Sequence, residues 1–289
     1  MRPRRSGGRR VAGTPGPEPG VYPIDTGTAE LVRDRDRPTG FMLFVNGVES
    51  SHADLADPAW LEFEYLRWMA TVITDRFADS NFDVVHLGAA GCSLARQLIA
   101  TRPGSRHLAV EVDARLATLV REWFDLPRAP ALRIRVGDAR AVTESLAPHS
   151  ADVIVRDVFA GALTPDGLTT LEFAQLVART LRPGGLFLAN CADGPDLMLT
   201  RAELVTLGTV FPQLAAVADA PMLKGRRRGN VVLAAGDRPI GGPALIGDLL
   251  GGPAPAQLWD DRHCRAVAAG IRVRRDPPPV GPGDPITAG

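Results

Sequence analysis

Five short apolar runs in the middle of the chain each end on residues able to hold or activate a polar ligand. Val84-Val85-His86-Leu87 leads into Gly88-Ala89-Ala90-Gly91, Leu108-Ala109-Val110 into Glu111, and Leu132 to Val136 into Gly137-Asp138-Ala139-Arg140. Val153-Ile154-Val155 leads into Arg156-Asp157, and Leu186-Phe187-Leu188-Ala189 into Asn190 with Asp193 close behind. Small residues after the first run let the backbone turn tightly and bring its N–H groups and a helix N-terminus against a ligand. Glu111 stands 111 − 88 = 23 residues beyond Gly88, near the offset of about 20 at which an acidic side chain accepts from ribose hydroxyls. Asp138 can accept from an exocyclic adenine amine and still cap the next helix, whereas Asp113 reads as a plain N-cap. Asp157 precedes a stretch punctuated by Gly161, Pro165 and Gly167, the pattern of a reactive carboxylate under a loop. Each group alone has a bland reading as a turn or a cap. Together, on successive run ends, they describe a nucleoside site with a carboxylate beside it.

The elements that must position these groups follow from the rhythm of the sequence. Between the runs lie helical patterns near Ser93 to Ala100, Ala114 to Trp123, Ala139 to Leu146 and Leu168 to Leu181, with a further helix at Arg201 to Val210 and a strand over 228–235. Short apolar runs alternating with helices indicate an α/β fold, a doubly wound and mostly parallel sheet, whose ligands bind beyond the carboxyl ends of the strands. Ahead of it, Leu31-Val32 and Phe41 to Val45 with the turn signal Asn46-Gly47 predict a small β unit. Asp57-Pro58 predicts a helix start, with Leu61, Tyr65, Trp68, Met69 and Val72 at helical spacing. The expected division is a disordered Arg/Gly/Pro tail over 1–20, the β unit and linking helix over 21–80, the nucleoside-binding domain over 81–240, and a partly disordered C-terminal appendage over 241–289.

Composition excludes several function classes. The chain has 289 residues with 33 basic and 33 acidic side chains, which argues against a partner bound by phosphate neutralisation. No apolar run approaches the length of about 18 residues that spans a bilayer. Arg9-Arg10 is followed by Pro15, Pro17 and Pro19 rather than by an apolar region, so a cytoplasmic location is the default. Cys92, Cys191 and Cys264 are far apart and show no ligand spacing, so no metal is expected. Lys224 to Gly229 reads as a solvated basic turn, His86 as a packed strand residue, and His52 as the better acid–base candidate.

From about Asn46 to Ala235 the sequence resembles the spermidine synthase family of aminopropyltransferases. The matching pieces are Val45-Asn46-Gly47-Val48, Glu62-Phe63-Glu64-Tyr65, His86-Leu87-Gly88, Val110-Glu111-Val112-Asp113, Gly137-Asp138-Ala139, Asp152 to Asp157 and Leu181-Arg182-Pro183-Gly184-Gly185. The resemblance implies a class I methyltransferase-like Rossmann sheet with a small N-terminal β domain. It also implies a donor, decarboxylated S-adenosylmethionine or S-adenosylmethionine, held by Gly88, Gly91, Glu111 on ribose, and Asp138 with Ala139 on adenine. Asp157 is then the catalytic carboxylate that orients and deprotonates an attacking amine, and Tyr65 lines the substrate pocket, to which Glu62, His52 and Asn190 are added as expectations from the residues themselves. Relatives form dimers or tetramers, which makes a homo-oligomer the expectation. Two departures stand out: Gly91 and Ala160 occupy positions where the family has aspartates that read amine groups.

These readings make the leading expectation an aminopropyl transfer to a small-molecule amine. A methyltransferase using S-adenosylmethionine is the alternative that Gly91 makes easier, since a neutral residue there does not repel a carboxylate. A nucleoside-binding module without catalysis is the third.

Overall fold

The computed structural model describes residues 16–161 and 163–278. The tail expected before residue 16 and the end of the chain after 278 lie outside the described residues. The chain opens with a four-stranded antiparallel sheet, β1 (Gly20–Ile24), β2 (Gly27–Arg33), β3 (Gly40–Val45) and β4 (Val48–Asp54), paired in that order. The β3–β4 turn is Asn46-Gly47, both with positive φ, as the hairpin signal requires.

The second sheet holds β5 (Asp83–Leu87), β6 (Arg106–Glu111), β7 (Leu132–Val136), β8 (Ala151–Arg156), β9 (Leu181–Asp193), β10 (Gln213–Ala218), β11 (Gly229–Gly236) and β12 (Gln257–Trp259). Their order across the sheet is β12-β10-β11-β9-β8-β5-β6-β7. Pairs among β5 to β9 are parallel, while β9, β11, β10 and β12 pair antiparallel. The strands flanking β5 are β6 on one side and β8 on the other, which opens a crevice at the end of β5.

The helices are α1 (Glu64–Arg76), α2 (Ser93–Thr101), α3 (Ala114–Trp123), α4 (Ala139–Ser145), α5 (Leu171–Thr180), α6 (Met198–Leu207), α7 (Ala220–Leu223), α8 (Pro243–Gly251) and α9 (Asp261–Val267). One apolar core wraps the large sheet from α1 to α9. A second joins Leu31, Phe41 and Leu43 of the small sheet to Leu116, Val120 and Trp123 of α3 and to Leu132 of β7.

Three expectations change. The helix predicted from Pro58 begins only at Glu64: Asp57 caps a single turn, its side chain accepting from Ala59 N at 3.2 Å and its carbonyl from Trp60 N at 3.1 Å, and the chain runs on irregularly to Phe63. Residues 16–20 are described and lead into β1, whose Gly20 pairs with Leu31. Residues 241–276, expected as a partly disordered appendage, are built into the large domain where described: β12 extends the large sheet, Trp68 Nε1 donates to Ala254 O at 2.8 Å, and Asp276 pairs with Arg140 at 2.5 Å.

Candidate active site

The strand ends are stepped by backbone bonds that continue past the strands. Asp157 N donates to Leu87 O at 2.8 Å, Gly88 N to Val110 O at 3.1 Å, and Gly137 N to Glu111 O at 2.9 Å. The first step is so close that only glycine fits at 88. Its φ is +78°, and a Cβ there would lie 2.3 Å from Asp157 O. The glycine turn and the carboxylate are therefore neighbours by construction.

Asp157 stands between two side chains. Its Oδ2 accepts from Tyr65 Oη and its Oδ1 from Asn190 Nδ2, both at 2.9 Å. It meets a cavity on one side while protein surrounds it on the others, and this desolvation raises its pKa. The bonds from Asn190 and Tyr65 and the nearby Arg156 cation oppose the rise. Tyr65 is pushed well above the usual phenol range by burial and by the Asp157 charge, so it stays a donor.

Arg156 is 1% exposed and its guanidinium forms a bidentate pair with Glu203 at 2.7 and 3.0 Å. It also donates to Leu168 O at 2.9 Å and Asn190 O at 3.1 Å. Behind the carboxylate, then, a buried cation fixes the backbone of Asn190, whose side chain fixes Asp157. Sequence reading missed Glu203. The signal was Arg156 at the end of an apolar strand, since a buried charge demands a partner.

On the donor side, Glu111 accepts from Ala90 N at 3.0 Å and from Asp113 N at 3.1 Å, and burial raises its pKa against those two bonds. Asp138 caps α4, accepting from Ala141 N at 2.9 Å, and is exposed; Ala139 is buried in the first turn. Gly91 departs from expectation. Its N–H is spent on Ser51 Oγ at 2.9 Å, and a Cβ at 91 would stand 2.7 Å from Ser51 Cβ. Strand β4 thus fills the space where a side chain of residue 91 would go.

Two cavities meet at Tyr65. One of about 50 Å³ lies under the glycine turn, lined by Gly88, Ala89, Ala90, His86, Ser51 and Asp157 among others. The other, of about 360 Å³, is walled by Glu49, Glu62, Glu64, Trp68, Arg227 and Asn230. Glu62, expected beside the acceptor, lines this cavity together with Glu49 and Glu64. His52, expected there too, does not. It is 1% exposed, bonds Asp34 Oδ2 through Nε2 at 2.8 Å, and lines neither cavity. Asp34, His52 and Glu62 form the one group of potential metal ligands among the described residues. Asp34 and His52 are spent on each other, and Glu62 accepts from Trp60 Nε1 at 2.9 Å. Cys92 is buried and its thiol is pushed up to about 12, so it is no nucleophile. No helix among the described residues is long and apolar enough to cross a membrane.

No family model matches the chain. The crystal structure of a protein from Corynebacterium glutamicum ATCC 13032, described as a probable spermidine synthase, superposes with a TM-score of 0.86 at 44% identity, covering 93% of this chain and 99% of that one. The polyamine aminopropyltransferase of Chromobacterium violaceum is 29% identical over 144 residues, 50% of this chain. The match covers 54% of that enzyme, so the chain spans about half the length of this curated relative. Human methyltransferase-like protein 13, crystallised with SAH, shares the fold, with a TM-score of 0.53 at 21% identity over 73% of this chain and 94% of its own. The parallel-sheet fold is thus common to both groups, and the small N-terminal sheet stands beside it here. With a relative of 44% identity matched along nearly its whole length, the chain belongs to the spermidine synthase family.

Proposed function

We propose that the protein is an aminopropyltransferase that moves the aminopropyl group of decarboxylated S-adenosylmethionine to a small-molecule amine. The observation that carries this reading is the position of Asp157. It lies against the glycine turn, and Tyr65, which hydrogen-bonds it, also lines the larger cavity with its three glutamates. An ammonium cannot attack, so a carboxylate must take its proton while nitrogen is held in line with the carbon next to the sulfonium sulfur. Nitrogen then bonds that carbon, the carbon–sulfur bond breaks, and methylthioadenosine leaves as a neutral thioether. In this reading Glu111 accepts from the ribose hydroxyls, Asp138 from the adenine amine, and Glu49, Glu62 and Glu64 attract the cationic acceptor. Membership of the family supports the assignment, as do the relatives named for this transfer.

One observation favours a second reading, methyl transfer from S-adenosylmethionine: the cavity under the glycine turn has no carboxylate other than Asp157. The test is incubation of the protein with each donor and a panel of diamines, with mass spectrometry of the products. Methylthioadenosine released with the decarboxylated donor supports the first reading, S-adenosylhomocysteine with the other supports the second, and calorimetry that detects binding of neither donor overturns both. Assembly as a homodimer belongs to the same proposal, and light scattering checks it.

A further inference from the structure

Under the glycine turn the cavity contains a second titratable group, His86, to which the proposed transfer gives no task. Its ring is locked by a chain of bonds. His86 Nε2 meets His107 Nδ1 at 2.9 Å, with the rings stacked 5.2 Å apart, and His107 Nε2 meets Ser105 Oγ at 2.8 Å. Ser105 Oγ donates to Arg102 O at 2.7 Å. A carbonyl only accepts, so the hydroxyl proton goes there and Ser105 must accept from His107 Nε2–H. Burial lowers the pKa of His86 well below the usual range and that of His107 to about 4, so both rings are neutral. His107 Nδ1 is then bare and accepts from His86 Nε2–H, which leaves His86 Nδ1 a bare acceptor as well.

That atom has no partner among the described residues, and it is not one of the sealed polar atoms of the fold. His86 is 5% exposed and lines the cavity, so its free lone pair opens there. Among the other acceptors of the cavity, Asp157 is held by Tyr65 and Asn190 and is assigned above to the attacking amine, while Ser51 receives Gly91 N and the hydroxyls of Ser50 and Ser93 donate to Val48 O and His52 O. At 10–15 Å³ for each water-sized group, a cavity of about 50 Å³ takes about four of them. An arm of three carbons and one nitrogen has that size.

Resting on the aminopropyl reading above, we propose that His86 Nδ1 accepts a hydrogen bond from the terminal ammonium of the arm being transferred. His86 is then a specificity-determining residue that selects an amine-bearing donor with a neutral group where no carboxylate side chain fits.

The test is calorimetry of decarboxylated S-adenosylmethionine and of methylthioadenosine, which lacks the amine, on the wild-type chain and on two variants. His86→Leu is expected to weaken the decarboxylated donor about tenfold, the scale of one hydrogen bond to a charged group, and to change methylthioadenosine less than about twofold. His86→Gln can donate its amide N–H to His107 and present its oxygen to the cavity, so it is expected to keep most of the preference. Equal loss of both ligands in His86→Leu, with no recovery in His86→Gln, assigns the residue a packing role and overturns the proposal, as does an unchanged ratio. If the wild-type chain binds neither ligand, the aminopropyl reading itself falls; if it binds both and His86→Leu does not alter their ratio, only the assignment of His86 falls.

Discussion

The two cavities that meet at Tyr65 are built in opposite ways. On the side of the glycine turn the acids are held by fixed donors: Asp157 in the cavity wall takes Tyr65 and Asn190, and at the neighbouring strand ends Glu111 takes Ala90 N and Asp113 N, Asp113 takes Leu116 N, and Asp138 takes Ala141 N. On the other side Glu49 and Glu64 are exposed, and the nearest cation to Glu64 is Arg227 at 3.6 Å. The first cavity holds its groups in place before any ligand arrives, which is how a fixed outline is recognised. The second offers charge on adjustable side chains, which suits acceptors of varying length. The contrast separates what in this fold is set by geometry from what is set by electrostatics.

Replacing the group shared by both sides breaks the comparison most severely. Asp157→Asn is expected to lower turnover by about 10² to 10⁴, the usual range for a positioned base, while donor affinity by calorimetry changes little. Glu111→Ala removes charge-assisted bonds to the donor and is expected to weaken nucleoside binding by about 10- to 100-fold, independently of salt because the group is largely enclosed. Gly91→Ala is expected to destabilise the fold by about 1–3 kcal/mol through overpacking; a thermal melt measures the loss, and Ser51→Gly added to it should recover part. Tyr65→Phe takes away a bond that favours the charged form of Asp157, so the pKa of Asp157 rises further. The acidic limb of the pH–rate profile then moves to higher pH, because the base becomes protonated earlier as pH falls. Smallest are Glu49→Gln and Glu64→Gln, each expected to raise KM for a diamine by less than about fivefold, with the difference shrinking as salt is added. Loss of salt dependence in the wild type would erase the distinction between the two sides.

The strand ends beside the glycine turn were legible because their signals are local. Asp113 followed by the pattern of α3, and Asp138 followed by α4, are caps written within four residues of their partners, and both occur as read. The strand-end acids follow from short apolar runs whose termination is visible in the chain. What escaped depends on distant partners. Glu203 meets Arg156 across 47 positions, and Ser51 meets Gly91 across 40. Strand β10 (Gln213–Ala218) is alanine-rich and β12 has 3 residues, too weak a pattern for a strand. His86 was read as a packed, hydrogen-bonded residue and is one, but the cavity its ring also lines forms only when β5, α2 and β4 come together.

The cap of α3 has a wider consequence. Asp113 Oδ1 receives Leu116 N, while its Oδ2 receives both the N–H and the hydroxyl of Thr26, at 2.7 and 2.8 Å, in the turn between β1 and β2. Its own amide is one of the two that hold Glu111. The small sheet cannot lift away without uncapping a helix of the large one and slackening the residue assigned to ribose. The two sheets should therefore open as one cooperative unit, and a nucleoside bound at Glu111 should slow hydrogen exchange at the Thr26 amide, in a turn that no ligand needs to touch.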